Sequence, residues 1–495
     1  MTTRRRDHKA ASLLSRVVAE QEALSVAGTS NRARTFSGLL CRVRVSLSRT
    51  RLEYVFLVIA LGWGVAQVFI VPPLQVPDEG DHWFRAWALT DGQLTADQEG
   101  MVTLPGSFAR LSGLYTRLVG GVGGMLSLPV SLEGQEGFSG YPDLFNSPGP
   151  PGTIRVPSRV ATYGPVGYLP QAAGVGLGRL VDASPLACFY LARLANLFAA
   201  LVLLFFAVRL APFGKQLFIL LALLPMTMFE LASVSCDALT LAGAMFYTAL
   251  VLWASKRATL RRVDVALVLA ASALLLNVKP GYWALVLLVL LIRPSQLGGR
   301  ARYGTFLAGN LLAVVGVFVV TFLVTATGAR VPAVEGPQAQ LFFVLHEPLA
   351  FGGILWSNLQ NNLRTWTLES IGVLGWLTIT LPAASYFVVL TGGLGFLIRM
   401  REEVVLRFRQ RALLAAVGVA VFLTVAVALY VFLPPTADGQ VAMQGRYLAP
   451  VWLLMLLSVY GIKFARRQLG RAFVIGVLLV IMVQNFQTLI SVYHP

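Results

Sequence analysis

Charge is what this sequence lacks most. Asp, Glu, Lys and Arg make up 13% of its 495 residues, about half the share of a soluble domain. So little solvating surface excludes a soluble globular protein, and apolar residues fill the deficit: 56% of the chain, with a mean hydropathy of +0.70. Cysteine is scarce as well. Cys41, Cys188 and Cys236 are too few and too scattered for a disulfide framework or a zinc site. No P-loop, Gly-x-Ser-x-Gly elbow or His-Glu-x-x-His pair is present, so neither cytoplasmic ATP hydrolysis nor those hydrolase chemistries are supported. Matched halves of the transporter type are also missing, which counts against secondary transport.

What the chain does have is long unbroken apolar runs. A helix crosses the hydrocarbon core with about 20 such residues. Spans are expected near 54–72, 184–209, 216–235, 238–255, 263–278, 280–293, 304–328, 371–398, 412–433, 447–462 and 472–491, eleven in all. The segment 163–180 is apolar but rich in Gly and Pro; it reads as re-entrant or interfacial, with a twelfth span as the alternative. The expected fold is therefore an all-α polytopic bundle of about 11 spans, with outer loops over 73–183 and 329–370. The Gly/Pro density of the first loop, at Gly120 to Gly124 and Ser147 to Gly152, argues for irregular structure with short helices.

The net charge of +17 invites a nucleic-acid reading, but its distribution favours a membrane one. With eleven spans and the N-terminus inside, the inner segments hold 29 of the 40 Lys+Arg and only 7 acids, whereas the outer segments hold 10 basic and 15 acidic residues. That is the positive-inside pattern, and a twelfth span would invert every later loop. The C-terminus is then extracytoplasmic. Residues 1–52 form a basic tail, expected to be disordered, cytoplasmic and attracted to anionic headgroups; residues 53–495 form the membrane domain. No nucleic-acid partner is expected.

The sharpest local feature follows the first span: Pro72-Pro73-Leu74-Gln75-Val76-Pro77-Asp78-Glu79-Gly80-Asp81-His82-Trp83-Phe84-Arg85. Prolines end the helix, and three carboxylates, an imidazole and a guanidinium follow at once. Partly desolvated neighbouring acids do not all ionise freely, so one can be held as a base. Glu230 and Asp237, Lys279, and Arg446 beside Tyr447 fall on the same outer side. Ionisable groups at membrane depth are costly and point to function, although Asp237 could simply cap its helix and Lys279 and Arg446 could reach for headgroups. Arg193, inside the second span, needs an acid or a lipid phosphate as partner. Trp83, Trp87, Tyr163 and Trp356 suit either sugar stacking or interfacial anchoring. A carboxylate base with outer-leaflet Lys and Arg suits transfer of a group from a lipid phosphate to an outside acceptor.

Pro77-Asp78-Glu79-x-x-His82-x-x-Arg85, Ser233-Val234-Ser235-x-Asp237, Lys279-Pro280-x-Tyr282, Gly375-Trp376-Leu377 and Gln444-Gly445-Arg446-Tyr447-Leu448-x-Pro450 resemble a bacterial family of multi-spanning membrane proteins catalogued as a domain of unknown function. Its members look like the GT-C superfamily of glycosyltransferases. The resemblance covers about 54 to 491. It implies a GT-C-like bundle in the bacterial plasma membrane and an inverting glycosyltransferase, with a polyprenyl-phosphate sugar as donor and a cell-envelope glycan or lipid as acceptor. It also implies an acidic motif after the first span acting as base or metal ligand. On this chain Asp78, then Glu79, become the base, with His82 and Arg85 organising the site. Lys279 and Arg446, with Arg85, Asp237 and Tyr447, become the substrate and phosphate site. Gly80-Asp81 stand where the family often has Pro-Ala, which leaves open which carboxylate acts. It also leaves open whether Asp78, Glu79 and Asp81 hold a divalent metal such as Mg or Mn. The alternative class is a flippase or transporter of a lipid-linked envelope precursor.

Overall fold

The computed structural model describes residues 51–97, 99–120, 140–146, 148–158, 160, 163–279, 281–327, 337–397, 406–433, 441–461 and 471–494. The basic tail, apart from its last two residues, and the Gly-rich stretch after Gly120 lie outside them. The described chain is mostly helical, with two short two-stranded pairings.

The first apolar run forms α1 (Leu52–Ile70), which the Pro72-Pro73 pair stops. Short elements follow: α2 (Glu79–Thr90), the strands β1 (Met101–Pro105) and β2 (Thr153–Pro157) paired antiparallel, α3 (Ala109–Gly120) and α4 (Gly140–Asn146). They close over their own aromatic core, in which Trp83, Phe84, Trp87, Phe108, Phe145 and Phe189 pack together. The segment expected as the first outer loop is thus a small subdomain. Trp83 and Trp87 are buried in its centre, which rules out their stacking on a sugar.

The expected re-entrant segment 163–180 is a 3-10 turn, Pro165–Tyr168, leading into α5 (Leu169–Leu180). Gly174 and Gly178 lay its spine against α6 (Pro185–Leu210); a Cβ at Gly174 would sit 2.5 Å from the Leu191 carbonyl oxygen. Small residues four apart let two helices touch at the backbone. At 26 residues, α6 is about 39 Å long, longer than the hydrocarbon core, and its first turns pack into that subdomain.

Of the expected spans, several are broken or short. Residues 216–235 form α7 (Lys215–Ala222) and α8 (Pro225–Leu231), separated where Pro225 opens the second helix. The next run is α9 (Asp237–Lys256), whose residues are nearly all buried, followed by α10 (Arg262–Val278). The stretch expected at 280–293 is a 3-10 helix, Trp283–Leu291, rather than an α-helix. Then come α11 (Arg300–Thr327) and the pair α12 (Pro337–His346) and α13 (Pro348–Gly372), bent by 100°. Most of the second expected outer loop is therefore helical. In 371–398 a hairpin, β3 (Val373–Leu374) with β4 (Ile379–Thr380), precedes the 14-residue α14 (Ala383–Phe396). The last elements are α15 (Phe408–Phe432), a 3-10 turn at Gly445–Leu448, the 11-residue α16 (Ala449–Val459) and α17 (Arg471–Tyr493).

Among the described residues five helices (α1, α6, α9, α15 and α17) are long and apolar enough to cross a membrane, or six if the bent α12–α13 pair counts as one span. About eleven spans were expected, and the described residues supply five or six helices of crossing length for them. Apolar length alone does not see the breaks that Pro225 and the Val373–Thr380 hairpin impose.

Helix ends meet at two levels. At one, Lys215 lies beside Glu53 and donates to the Arg209 carbonyl, Gln216 donates to the Phe396 carbonyl and Tyr460 hydroxyl, and Arg411 donates to the Ser458 carbonyl. At the other, Arg193 donates to the carbonyls of Val68, Val71 and Pro72. His494 meets the Ile70 carbonyl, and Tyr282 donates to that of Tyr447. The second level carries the ionisable residues singled out above.

Candidate functional site

Asp78 is the residue on which α2 starts. Its backbone is left-handed, φ 61°, and so is that of Leu74, φ 67°. Such conformations cost a non-glycine residue about 1–3 kcal/mol and persist only where the surroundings impose them. Here the Trp376 indole donates to the Leu74 carbonyl at 3.0 Å, from the β3–β4 hairpin. The buried Glu79 carboxylate accepts from the Leu74 amide at 3.0 Å.

The three acids of the motif face three ways. Glu79 is fully buried and takes a two-pronged ion pair from Arg193, Nε at 2.8 Å and Nη2 at 2.7 Å, plus the Val234 amide at 3.1 Å. Both its oxygens are committed, so it is a pillar joining α2, α6 and the Ser233–Asp237 segment, and the catalytic role expected of it does not fit. Asp81 accepts from the Tyr115 hydroxyl at 3.2 Å, and a Cβ on neighbouring Gly80 would strike the Tyr115 ring. Asp78 alone keeps substantial exposure, 40% of its side chain, and pairs with Arg446 at 2.6 Å. Asp78, Glu79 and Asp81 therefore do not converge as metal ligands. Among the described residues no three His, Cys, Asp or Glu side chains are gathered to hold a metal ion.

One helical turn beyond Asp78, His82 meets the Tyr168 hydroxyl at 2.7 Å through Nδ1. Burial pushes its pKa down to about 4, against the pull of Asp237 and Asp78, so the imidazole is neutral at ordinary pH. Burial raises Asp78, but Arg446, His82 and Lys279 together outweigh it and hold the carboxyl below its usual range. Arg85 donates to the carbonyls of Gln93 at 2.9 Å and Leu94 at 2.5 Å, tying down the chain after α2, while its buried Nε has no partner and its guanidinium carbon lies 5.9 Å from the Tyr168 ring.

The remaining members come from distant elements. Asp237 opens α9 and accepts from Lys279 Nζ at 2.5 Å, at the end of α10. Arg446, in the 3-10 turn before α16, bridges Asp78 and Glu230, the latter at 3.0 Å, and touches the Tyr447 hydroxyl at 3.0 Å. The Tyr447 ring lies under both cations, 4.4 Å from Lys279 Nζ and 5.0 Å from the Arg446 guanidinium carbon. Arg446 Nε, one Glu230 oxygen and one Asp237 oxygen are buried without a hydrogen-bond partner, an uncommon concentration for a native interior. A small apolar crevice between α6, α9 and α10 is lined by Leu203, Leu239, Gly243, Phe246, Leu275 and Val278, the last of which precedes Lys279.

The structure thus brings together Asp78, His82, Asp237, Lys279, Arg446 and Tyr447, and gives Glu79, Asp81 and Arg85 other hydrogen-bond partners. Sequence reasoning missed the supports. Asn196 donates to the carbonyls of Ser233 and Ser235 at 2.8 Å each, satisfying the irregular backbone before Asp237. Gln171, Tyr168 and Tyr115 do comparable work, and Glu369 accepts from the Gly445 amide at 2.7 Å; Trp376 does too, and stood in the Gly375-Trp376-Leu377 motif. Asn196, a polar amide three residues after Arg193 in an otherwise apolar span, was a visible signal.

The family model described as a predicted membrane protein, DUF2142, matches residues 61–456. No curated protein and no solved structure matches the chain.

Proposed function

The chain belongs to the DUF2142 family of predicted membrane proteins, and from that premise we propose that it is a glycosyltransferase. It moves a sugar from a polyprenyl-phosphate-linked donor to a cell-envelope acceptor at the outer face of the bacterial plasma membrane. The observation that carries this reading is one accessible carboxylate, Asp78, set beside two buried cations, Arg446 and Lys279, that share the Tyr447 ring.

In this reading Asp78 takes the proton of an acceptor hydroxyl. The hydroxyl oxygen bonds to the anomeric carbon as the carbon–oxygen bond to phosphate breaks. The electron pair leaves with polyprenyl phosphate, whose charge Arg446 and Lys279 neutralise, and attack opposite the leaving group inverts the anomeric centre. His82, neutral and held by Tyr168, is a hydrogen-bonding partner for the bound sugar. The topology that goes with this is eleven passes, some of them broken or 3-10, with the N-terminus cytoplasmic and the C-terminus outside; the two levels at which helix ends meet support it.

The test is sugar transfer in membrane vesicles supplied with radiolabelled polyprenyl-phosphate sugars. Label should reach an envelope acceptor with the wild type, and Asp78→Asn should lower the rate by a factor of about 10² to 10⁴, the usual contribution of a general base. Undiminished transfer by Asp78→Asn removes the base assignment.

A further inference from the structure

Both cations of the site already have a carboxylate of the same chain as counter-ion: Asp237 on Lys279, and Asp78 together with Glu230 on Arg446. These acids are not equivalent. Glu230 and Asp237 are buried, whereas the Asp78 side chain is 40% exposed and so is the one with space to withdraw into. It uses only Nη2 of Arg446, while Nη1 stays with Glu230 at 3.0 Å and the Pro77 carbonyl at 3.4 Å. The guanidinium would therefore keep its place if Asp78 let go. The Tyr447 hydroxyl accepts from the same Nη2 at 3.0 Å, which leaves its own proton for an incoming oxygen.

We propose that the phosphate group of the substrate displaces Asp78 from Arg446, so that anion binding and release of the base are one event. This rests on the reading that the substrate carries a phosphate. A carboxylate held against a guanidinium is a poor base, because the ion pair favours its charged form; freed from Arg446, it is a better one. The exchange makes and breaks only hydrogen bonds and an ion pair. It also sets specificity: a neutral ligand with the same apolar chain cannot displace Asp78 and leaves the base masked. Asp78 acts on the resting protein as an internal competitor of the phosphate, so removing its charge tightens phosphate binding.

The test uses the purified full-length protein in detergent micelles, with farnesyl phosphate as probe, farnesol as its neutral control, and affinity read by calorimetry. Asn is among the non-glycine residues that best tolerate left-handed backbone, and Gly tolerates it fully, so Asp78→Asn and Asp78→Gly both suit the position. Both should bind farnesyl phosphate about tenfold tighter than wild type, with no change for farnesol, while Arg446→Gln should bind it about tenfold or more weaker. Wild-type binding with unchanged or weaker affinity in both Asp78 variants overturns the exchange and leaves the phosphate reading standing. No binding of farnesyl phosphate by any form removes the phosphate reading and the exchange with it.

Discussion

Asp78 and Glu79 are neighbours of the same chemistry, and the structure gives them opposite work. Asp78 keeps 40% of its side chain exposed on a strained backbone; Glu79 points inward into a two-pronged pair with Arg193, both side chains fully buried. Breaking a buried pair by removing one partner costs about 3–5 kcal/mol, because the other charge is left uncompensated. Glu79→Gln should therefore lower the thermal unfolding midpoint of the purified protein strongly, whereas Asp78→Asn should leave it nearly unchanged. Comparable midpoints for the two variants would contradict the division of roles. The sequence displayed the acid cluster but not this division, which depends on Arg193 arriving from α6 more than a hundred residues later.

At the scale of elements, the site depends on how closely the 3-10 turn Gly445–Leu448 lies on α13. Gly445 leaves no room for a side chain: a Cβ would stand 2.2 Å from the Trp366 carbonyl oxygen and 2.4 Å from the Ser370 nitrogen. The contact is held by Glu369 on the Gly445 amide and by the Ser370 hydroxyl on the Gly445 carbonyl at 2.7 Å. Gly445→Ala must push the turn off the helix and carry Arg446 with it. The expected outcome is a loss of stability of about 1–3 kcal/mol, with farnesyl phosphate affinity reduced at least as far as by Arg446→Gln. Wild-type affinity in Gly445→Ala would show that Arg446 is placed by other contacts. The Gln-Gly-Arg-Tyr string was legible; the reason for its glycine was not, since it lies in a helix about eighty residues upstream.

At the scale of the molecule, the proposed topology sets loops 257–261 and 293–299 on the cytoplasmic side and the outer subdomain on the other. Ala258, Ser295 and, in the outer subdomain, Thr95 are exposed. The native Cys188 and Cys236 are buried, so with Cys41 replaced by Ser little background remains for thiol labelling. A membrane-impermeant maleimide added to intact cells should label Thr95→Cys and spare Ala258→Cys and Ser295→Cys, both of which react once cells are opened. Labelling of Ser295→Cys from outside would mean that the 3-10 segment Trp283–Leu291 does not cross. Composition and hydropathy by themselves determined that this is a helical membrane protein, because apolar length and loop charge are local properties of the chain. The same local reading picked out the clustered acids after the first span. Only the tertiary structure decided which acid stays exposed, which helices are broken and which tryptophans are core. Those outcomes depend on partners such as Arg193, Trp376 and Arg446, brought together from segments far apart in sequence, where burial leaves a charge no stable alternative to an opposite charge.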